Sequence, residues 1–162
     1  MGYGPGFGPG FYGGGSTPAV DQPTLAEAFF TYLSDVMSMS PRIYPWRLPK
    51  NVTLPAMTYQ ILPGPGAVQV HDDAHDAAQP VESLHLRRRV QWDIYAKSYL
   101  ELEQLEREFR HVMHAFRGDM GGLTIGSVFL DVTIDSYEED EDVYRRIIDG
   151  MVRYNEVIAV GS

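Results

Sequence analysis

The sequence predicts an α+β domain, in which a mostly antiparallel sheet of about four strands carries two helices on one face. Two observations lead to this class. Four stretches of the chain read as strands and two have the apolar spacing of helices, but they do not alternate as in a parallel βαβ sheet. The chain has 162 residues, which suits a single domain with one hydrophobic core.

Composition narrows the functions that are open to the chain. The formal net charge is -9, so the surface as a whole repels phosphate, which argues against a fold that grips nucleic acid or an anionic membrane. There are no cysteines, which excludes disulfides, thiolate metal sites and a cysteine nucleophile. No apolar run approaches the roughly 18 residues of a spanning helix, and no signal-peptide pattern opens the chain. We therefore expect a soluble protein that is not secreted.

Residues 1–22 form a low-complexity arm, in which glycine and proline are interspersed with aromatic side chains. Such a segment buries too little apolar surface to offset the entropy that it loses on ordering. It is therefore either a disordered tail or an arm that docks on a neighbouring chain, and we expect docking. The aromatic residues that would make this contact are Tyr3, Phe7, Phe11 and Tyr12.

The predicted domain spans residues 23–160 and begins with a helix. A capping box starts at Thr24, and apolar residues at helical spacing continue the helix to about Met39. The four prolines of residues 41–55 predict an extended, irregular segment along an edge of the sheet. Alternating residues from Ala56 to Leu62 predict the first strand.

A long loop separates this strand from the next one. Residues 63–83 lack periodicity, begin with two Pro-Gly pairs and become strongly polar, which predicts a loop. Residues 84–96 have apolar side chains at most even positions and polar side chains at odd positions, which predicts a strand with one buried face. The adjacent arginines in this strand cannot form one patch, because Arg87 and Arg89 point away from Arg88.

The second half of the chain predicts one helix and two strands. A second capping box at Ser98 opens the helix, and Gly118 ends it. Residues 128–134 alternate again and predict a half-buried strand. Its apolar face would consist of Val128, Leu130, Val132 and Ile134. An acidic turn at residues 136–142 leads to a closing strand at about residues 144–159.

No group of residues in the sequence makes a strong case for catalysis. The string HDDAHD, residues 71–76, contains residue types that bind zinc or nickel, but it lies in the predicted loop without a scaffold or a partner motif. His111 and His114 read as surface histidines of the second helix, and the acidic turn lacks the residue order of a calcium loop. No nucleophile elbow or phosphate-binding loop occurs. We therefore expect no catalytic residue, no metal and no cofactor.

The charged residues instead suggest contacts between chains. Arg87 and Arg89 project from one face of the predicted sheet, and the turn before the last strand is acidic. Exposed ion pairs within a monomer contribute only about 0 to 1 kcal/mol, so these charges are better suited to setting the registry between subunits. The acidic candidates for this interface are Glu138, Glu139, Asp140, Glu141 and Asp142.

The order of these motifs resembles a known family. A helix is followed by RIYPWRLPKNVTLPAMTYQI, a loop, RVQWDIYAKSYLELEQL, a strand, the acidic YEEDEDVYR and a closing strand. This order, over about residues 25–158, resembles the tail-completion proteins of long-tailed bacteriophages, also called tail-terminator or tail-to-head joining proteins. The matching residues belong to strands and helix caps, and the arm has no counterpart in the family pattern.

The resemblance implies an α+β subunit that assembles into a ring, typically a hexamer. Such a ring terminates the tail tube at its head-proximal end, so the implied partners are further copies, the tail tube protein and neck or connector proteins. Genomic DNA would pass through without specific binding, and no membrane is involved. The implied location is the tail and neck of the virion, after assembly in the host cytoplasm.

Three other functions stay open at the level of sequence. Within virion architecture, the chain could be a neck stopper or head-completion protein. A metal-dependent hydrolase built on HDDAHD would bind stoichiometric metal and lose activity when His71 and His75 are replaced. A small acidic adaptor domain would stay monomeric at high concentration.

Overall fold

The computed structural model describes residues 22–40, 42–63, 70–71 and 81–159, which form two helices and one sheet of seven strands. The helices are α1 (Leu25–Val36) and α2 (Tyr99–Met113). The strands are β1 (Ile43–Pro45), β2 (Ala56–Ile61), β3 (Val70–His71), β4 (Val81–Ala96), β5 (Gly118–Met120), β6 (Leu123–Glu138) and β7 (Val143–Ala159). The α+β class predicted from the sequence is confirmed.

The sheet is mixed and has the strand order β1-β2-β4-β7-β6-β5, with β3 paired to β4 beside this path. β1 runs parallel to β2, and the other described pairs are antiparallel. The prediction of about four strands was therefore wrong in number. The strands that it missed, β1, β3 and β5, have only two or three residues each, too few for a period of two to show.

Both helices pack on the same face of the sheet, where Trp92 of β4 lies between them. The centroid of its ring is 5.6 Å from that of Phe29 on α1 and 5.3 Å from that of Phe109 on α2. Val90 and Ile94, on the same side of β4, are also fully buried. The even positions of β4 therefore form the centre of the core, as their alternation in the sequence predicts.

Two tyrosine hydroxyls fix the helices on this core. Tyr59 of β2 donates a hydrogen bond to the carbonyl of Ala26 at 3.1 Å, and Tyr32 of α1 donates one to the carbonyl of Val112 at 2.9 Å. Burial raises the pKa of both tyrosines, so both stay neutral donors. Tyrosine at these positions thus supplies apolar area and satisfies a helix carbonyl at the same time.

Both helices start at the predicted caps but end earlier than predicted. The hydroxyl of Thr24 accepts from Glu27 N at 3.2 Å, and the hydroxyl of Ser98 accepts from Glu101 N at 3.1 Å. α1 stops at Val36, before the predicted end near Met39. α2 stops at Met113, because Ala115 turns to a positive φ of 61° and its N–H bonds to the carbonyl of Val128 on β6. None of the described helices is long and apolar enough to cross a bilayer.

The predicted apolar face of β6 is only partly correct. Leu130 is the Cα partner of Gly150, and Thr133 is the partner of Ile148, so β6 carries one more residue than β7 over this interval. This register shift is a β-bulge, which moves later side chains to the opposite face. Ile134 therefore lies away from the helices and is 58% exposed, although the alternation in the sequence assigns it to the core.

The segment predicted as a loop, residues 63–83, contains the short strand β3 and the start of β4. Val70 and His71 of β3 pair with His85 and Leu84 of β4. The rest of the HDDAHD string after His71 lies outside the described residues, as does the arm up to residue 21.

Candidate assembly surface

The sheet has a second face, which neither helix covers because both helices lie on the side of Trp92. We call it the open face. The strand registers place on it the odd positions of β4, their Cα partners on β7 and the neighbouring positions of β6. The side chains on the open face include those of Arg87, Arg89, Asp93, Phe129, Ile134, Arg145, Ile147, Met151 and Arg153.

A polar cluster around Asp93 occupies the middle of the open face. The carboxylate of Asp93 accepts hydrogen bonds from Gln91 Nε2 at 3.1 Å, from Tyr95 OH at 3.4 Å and from Arg145 Nε at 3.1 Å. Asp93 is only 4% exposed, because these three side chains surround it. Burial raises the pKa of Tyr95, and the charge of Asp93 raises it further, which keeps this hydroxyl a donor. The cluster joins β4 to β7.

Next to this cluster, four apolar side chains of β6 and β7 form what we call the apolar patch. Phe129 is the Cα partner of Met151, and Ile134 is the partner of Ile147, so the four side chains share the open face. Phe129 and Ile134 are each 58% exposed. Asp149 lies on the same face of β7 between Met151 and Ile147, so the patch consists of two apolar pairs. Exposed large apolar side chains on one face are typical of a surface that another molecule covers.

The end of the open face near β3 holds a cavity of about 480 Å³, which we call the basic groove. Its lining includes His85, Arg87, Gly126, Ser127, Arg153 and Asn155, and no carboxylate lines it in the described part of the chain. Arg87 and Arg153 are direct Cα partners, so two like charges face each other across neighbouring strands. Such a pair is destabilising unless an anion lies nearby.

The two arginines predicted for the interface have different surroundings. Arg89 pairs with Asp149 at 2.9 Å and is therefore already partly neutralised. Arg87 Nε is buried and has no hydrogen-bond partner among the residues that the structure describes. A buried donor without an acceptor costs free energy, so Arg87 is the arginine that is best placed to accept an anionic partner.

The opposite end of the open face is the acidic hairpin between β6 and β7, which we call the acidic tip (Glu138–Asp142). Residues 139–142 are exposed. Asp142 has a positive φ of 52° and accepts a hydrogen bond from Tyr137 OH at 2.6 Å, which fixes the turn and raises the pKa of Tyr137. Glu138 lies 3.9 Å from Arg145 and is the one acid of the tip with a described ion pair.

The predicted interface residues are thus placed at two separate ends of one sheet face. Arg87 and Arg89 lie at or near the basic groove, and the five predicted acids form the acidic tip. Arg153 and the apolar patch were missed, because their position depends on the pairing of β4, β6 and β7 rather than on a local pattern. The aromatic candidates Tyr3, Phe7, Phe11 and Tyr12 lie outside the described residues.

The two histidines at the end of α2 lie at the surface. His111 and His114 are exposed, and His114 Nδ1 accepts a hydrogen bond from Leu130 N at 3.3 Å, which is a structural contact. No group of three or more histidine or acidic side chains within the described ranges could hold a metal ion.

A second ionic cluster lies on the helix side of the sheet and fixes α2 to β6 and β7. Arg146 donates to Asp135 Oδ1 and to Glu103 Oε1, each at 2.6 Å. These hydrogen bonds hold the pKa of Asp135 and of Glu103 below the usual range of a carboxyl group. Arg146 is itself buried, so these two carboxylates compensate a guanidinium charge that has little contact with water.

Comparison with known proteins adds a weak likeness in fold. No protein-family model matches the chain, and no curated protein matches it. Among solved structures, the chain is similar to one in the virion of a native gene transfer agent (GTA) particle, with a TM-score of 0.47 and 8% sequence identity. The likeness covers 72% of this chain and 80% of that chain. A likeness of this size does not establish a shared function.

Proposed function

We propose that the protein is a structural subunit of a virion ring that terminates the tail tube of a long-tailed phage and joins it to the neck. The observation that carries this proposal is the open face, where an uncovered apolar patch lies between a basic groove and an acidic tip. A face of this kind suits repeated contacts between copies. The resemblance in motif order supports the tail-terminator role in particular, and assembly rather than catalysis is the proposed activity.

The residues that carry the resemblance build the fold and the open face. In the stretch RVQWDIYA, Val90, Trp92 and Ile94 form the core, whereas Asp93 and Tyr95 form the polar cluster of the open face. A protein of this class needs a rigid sheet that presents the same surface on every copy. We therefore attribute the sequence pattern to the architecture of such a subunit.

The apolar patch alone is too small for a stable ring. Specific interfaces bury about 1,200–2,000 Å² in total, which is far more than four partly exposed side chains provide. Apolar contacts contribute about 25 cal/mol per Å² buried, so the patch would supply only part of the contact between copies. The charged ends of the open face would supply further contacts.

The overall charge is compatible with a ring through which DNA slides. With a net charge of -9, the chain as a whole repels phosphate, whereas a basic lumen would bind the passing DNA and hold it. We propose that the lumen of the assembled ring is neutral or acidic. A map of charge on an imaged ring tests this, and a strongly positive inner wall would refute it.

The decisive experiment mixes the purified protein with polymerised tail tubes and examines them by electron microscopy and native mass spectrometry. We expect closed rings, in solution or at one end of each tube, and tubes that stop elongating once capped. A protein that stays monomeric and binds no tube end contradicts the proposal. Binding to isolated connectors but not to tubes would instead favour the neck-stopper alternative.

A further inference from the structure

We infer that neighbouring subunits join head to tail, with the acidic tip of one copy seated in the basic groove of the next copy. This inference rests on the proposed assembly function and adds to it the surfaces that meet. The contact joins Glu138–Asp142 of one subunit to Arg87 and Arg153 of its neighbour.

The basic groove has the chemistry to bind an anion. Arg87 and Arg153 are Cα partners, and no carboxylate lines the groove in the described part of the chain, so their repulsion has no described counter-charge. Arg87 Nε is buried without a described acceptor. A carboxylate that enters the groove would accept from this group and separate the two like charges, because guanidinium groups bind carboxylates in paired hydrogen bonds.

The acidic tip has the chemistry that the groove lacks. It presents Glu139, Asp140 and Glu141 as exposed carboxylates on a turn that the hydrogen bond between Tyr137 and Asp142 holds in shape. An ordered turn loses less conformational entropy on binding than a mobile one, so its charges can contribute to affinity and registry. The opposite charges of the acidic tip and the basic groove are also expected to speed association at low salt.

The two surfaces cannot meet within one subunit. Val143, next to the tip, and Arg153, in the groove, are ten residues apart on the same strand β7. At about 3.3 Å per residue, this strand holds them about 33 Å apart. The contact therefore joins two different surfaces of two copies, and such heterologous contacts close into rings when the rotation per copy divides a full turn.

The chain carries a second set of carboxylates, Asp72, Asp73 and Asp76, which lie outside the described residues. They follow β3 in the sequence, and Val70 of β3 pairs with His85 at the groove. The experiment therefore has to separate the acids of the tip from these three aspartates.

A charge swap tests the inference. The groove variant R87E/R153E and the tip variant E139R/E141R are purified separately, and each is compared with a control that changes exposed residues elsewhere by the same charge. Arg107, Arg117, Asp35 and Asp119 are exposed and serve for the controls R107E/R117E and D35R/D119R. We expect each swap variant to lose ring formation by at least tenfold in concentration, while the controls assemble as the wild type does.

Mixing the two swap variants is the critical step. The acidic tip of the groove variant fits the unchanged groove of the tip variant, and the two positive charges that E139R/E141R introduces face the two negative charges that R87E/R153E introduces. We expect the equimolar mixture to restore rings in which the two variants alternate, with equal numbers of each by native mass spectrometry. Restoration cannot arise from misfolded subunits, so it also excludes loss of folding as the cause of the single-variant defect.

Several outcomes would overturn the inference. The first is a swap variant that assembles normally, and the second is a mixture that stays unassembled. The third is assembly that survives reversal of the tip but is lost in D72N/D73N/D76N, which would assign the groove to these three aspartates. If the wild type forms no ring at all, with or without tubes, the proposed function fails instead, so the two failures are distinguishable.

Discussion

Gly150 of β7 lies directly beneath the indole ring of Trp92, so closely that a Cβ atom on residue 150 would come within 2.8 Å of Trp92 Cζ3. The same atom would come within 2.8 Å of the carbonyl oxygen of Phe129 on β6. A backbone atom on one side and a fully buried ring on the other leave no room for a side chain. The position of Trp92 between the helices thus depends on the absence of a side chain at Gly150.

We expect Gly150→Ala to destabilise the fold by about 1–3 kcal/mol, because overpacking forces Trp92 or β6 to shift. For a chain of this size that corresponds to a fall in Tm of roughly 2–4 °C for each kcal/mol. Urea unfolding and a thermal melt measure both quantities. Gly126→Ala is the matched control, since a Cβ there meets its nearest atom at 3.5 Å, and the prediction fails if the two variants are equally stable.

The region around Trp92 also shows why part of the fold could be predicted from the sequence. The alternation of β4 is visible in a single strand, because one face is buried and the other is polar, and Trp92 is fully buried as expected. Ile134 has the same local pattern, but the bulge between Leu130 and Thr133 reverses its face. A bulge depends on the partner strand, so a local pattern cannot reveal it.

The open face likewise combines features that the local sequence pattern predicts with features that depend on strand pairing. Arg87 and Arg89 were placed on one face from their spacing alone. Their surroundings were not predictable, because Arg153 and Asp149 come from β7, about 60 residues later, and reach them only through strand register. The sequence therefore predicts which side chains share a strand face, and the sheet decides which of them meet.

The ion pair of Asp93 and Arg145 is expected to be important for stability. Both are partly or fully buried, so Arg145→Met leaves the Asp93 carboxylate without its cation. Breaking a buried pair costs about 3–5 kcal/mol, and the lower end applies because Arg145 keeps some contact with solvent. Urea unfolding measures the loss.

The double variant D93N/R145M tests whether Asp93 and Arg145 are directly coupled. Because Asn at 93 carries no charge, removing Arg145 as well should cost much less than it does with Asp93 present. A double-mutant cycle in which the two single effects simply add would contradict a direct coupling between these residues.

The Arg146 cluster predicts a dependence of stability on pH. The hydrogen bonds from Arg146 lower the pKa of Glu103 and Asp135 in the folded state. The contribution of these two carboxylates to the free energy of unfolding is therefore fully present above the ordinary carboxyl pKa of about 4. It is lost as the pH falls through their lower pKa values in the folded state. We expect Arg146→Met to be less stable than the wild type at pH 7 and this difference to shrink below about pH 4.

Urea midpoints between pH 2 and pH 7 test the pH prediction. Arg107→Met is the control, because Arg107 is exposed on α2, the helix that carries Glu103, and has no described ion pair. This control should follow the wild type at every pH. A difference between the wild type and Arg146→Met that stays constant over the whole range would show that the two carboxylates are not responsible.

The apolar patch separates folding from assembly. Phe129 and Ile134 are each 58% exposed, so F129S/I134S removes little buried area within the subunit, and the free energy of unfolding should change by no more than about 1 kcal/mol. Ring formation should weaken by at least tenfold, because the open face loses its apolar contacts between copies.

The matched control is F30S/L100S, which removes Phe30 and Leu100 from exposed positions on the helices, where they are 45% and 68% exposed. Sedimentation velocity and urea unfolding on the same samples measure both effects. If the control weakens assembly as much as F129S/I134S does, the helix side rather than the open face joins the subunits.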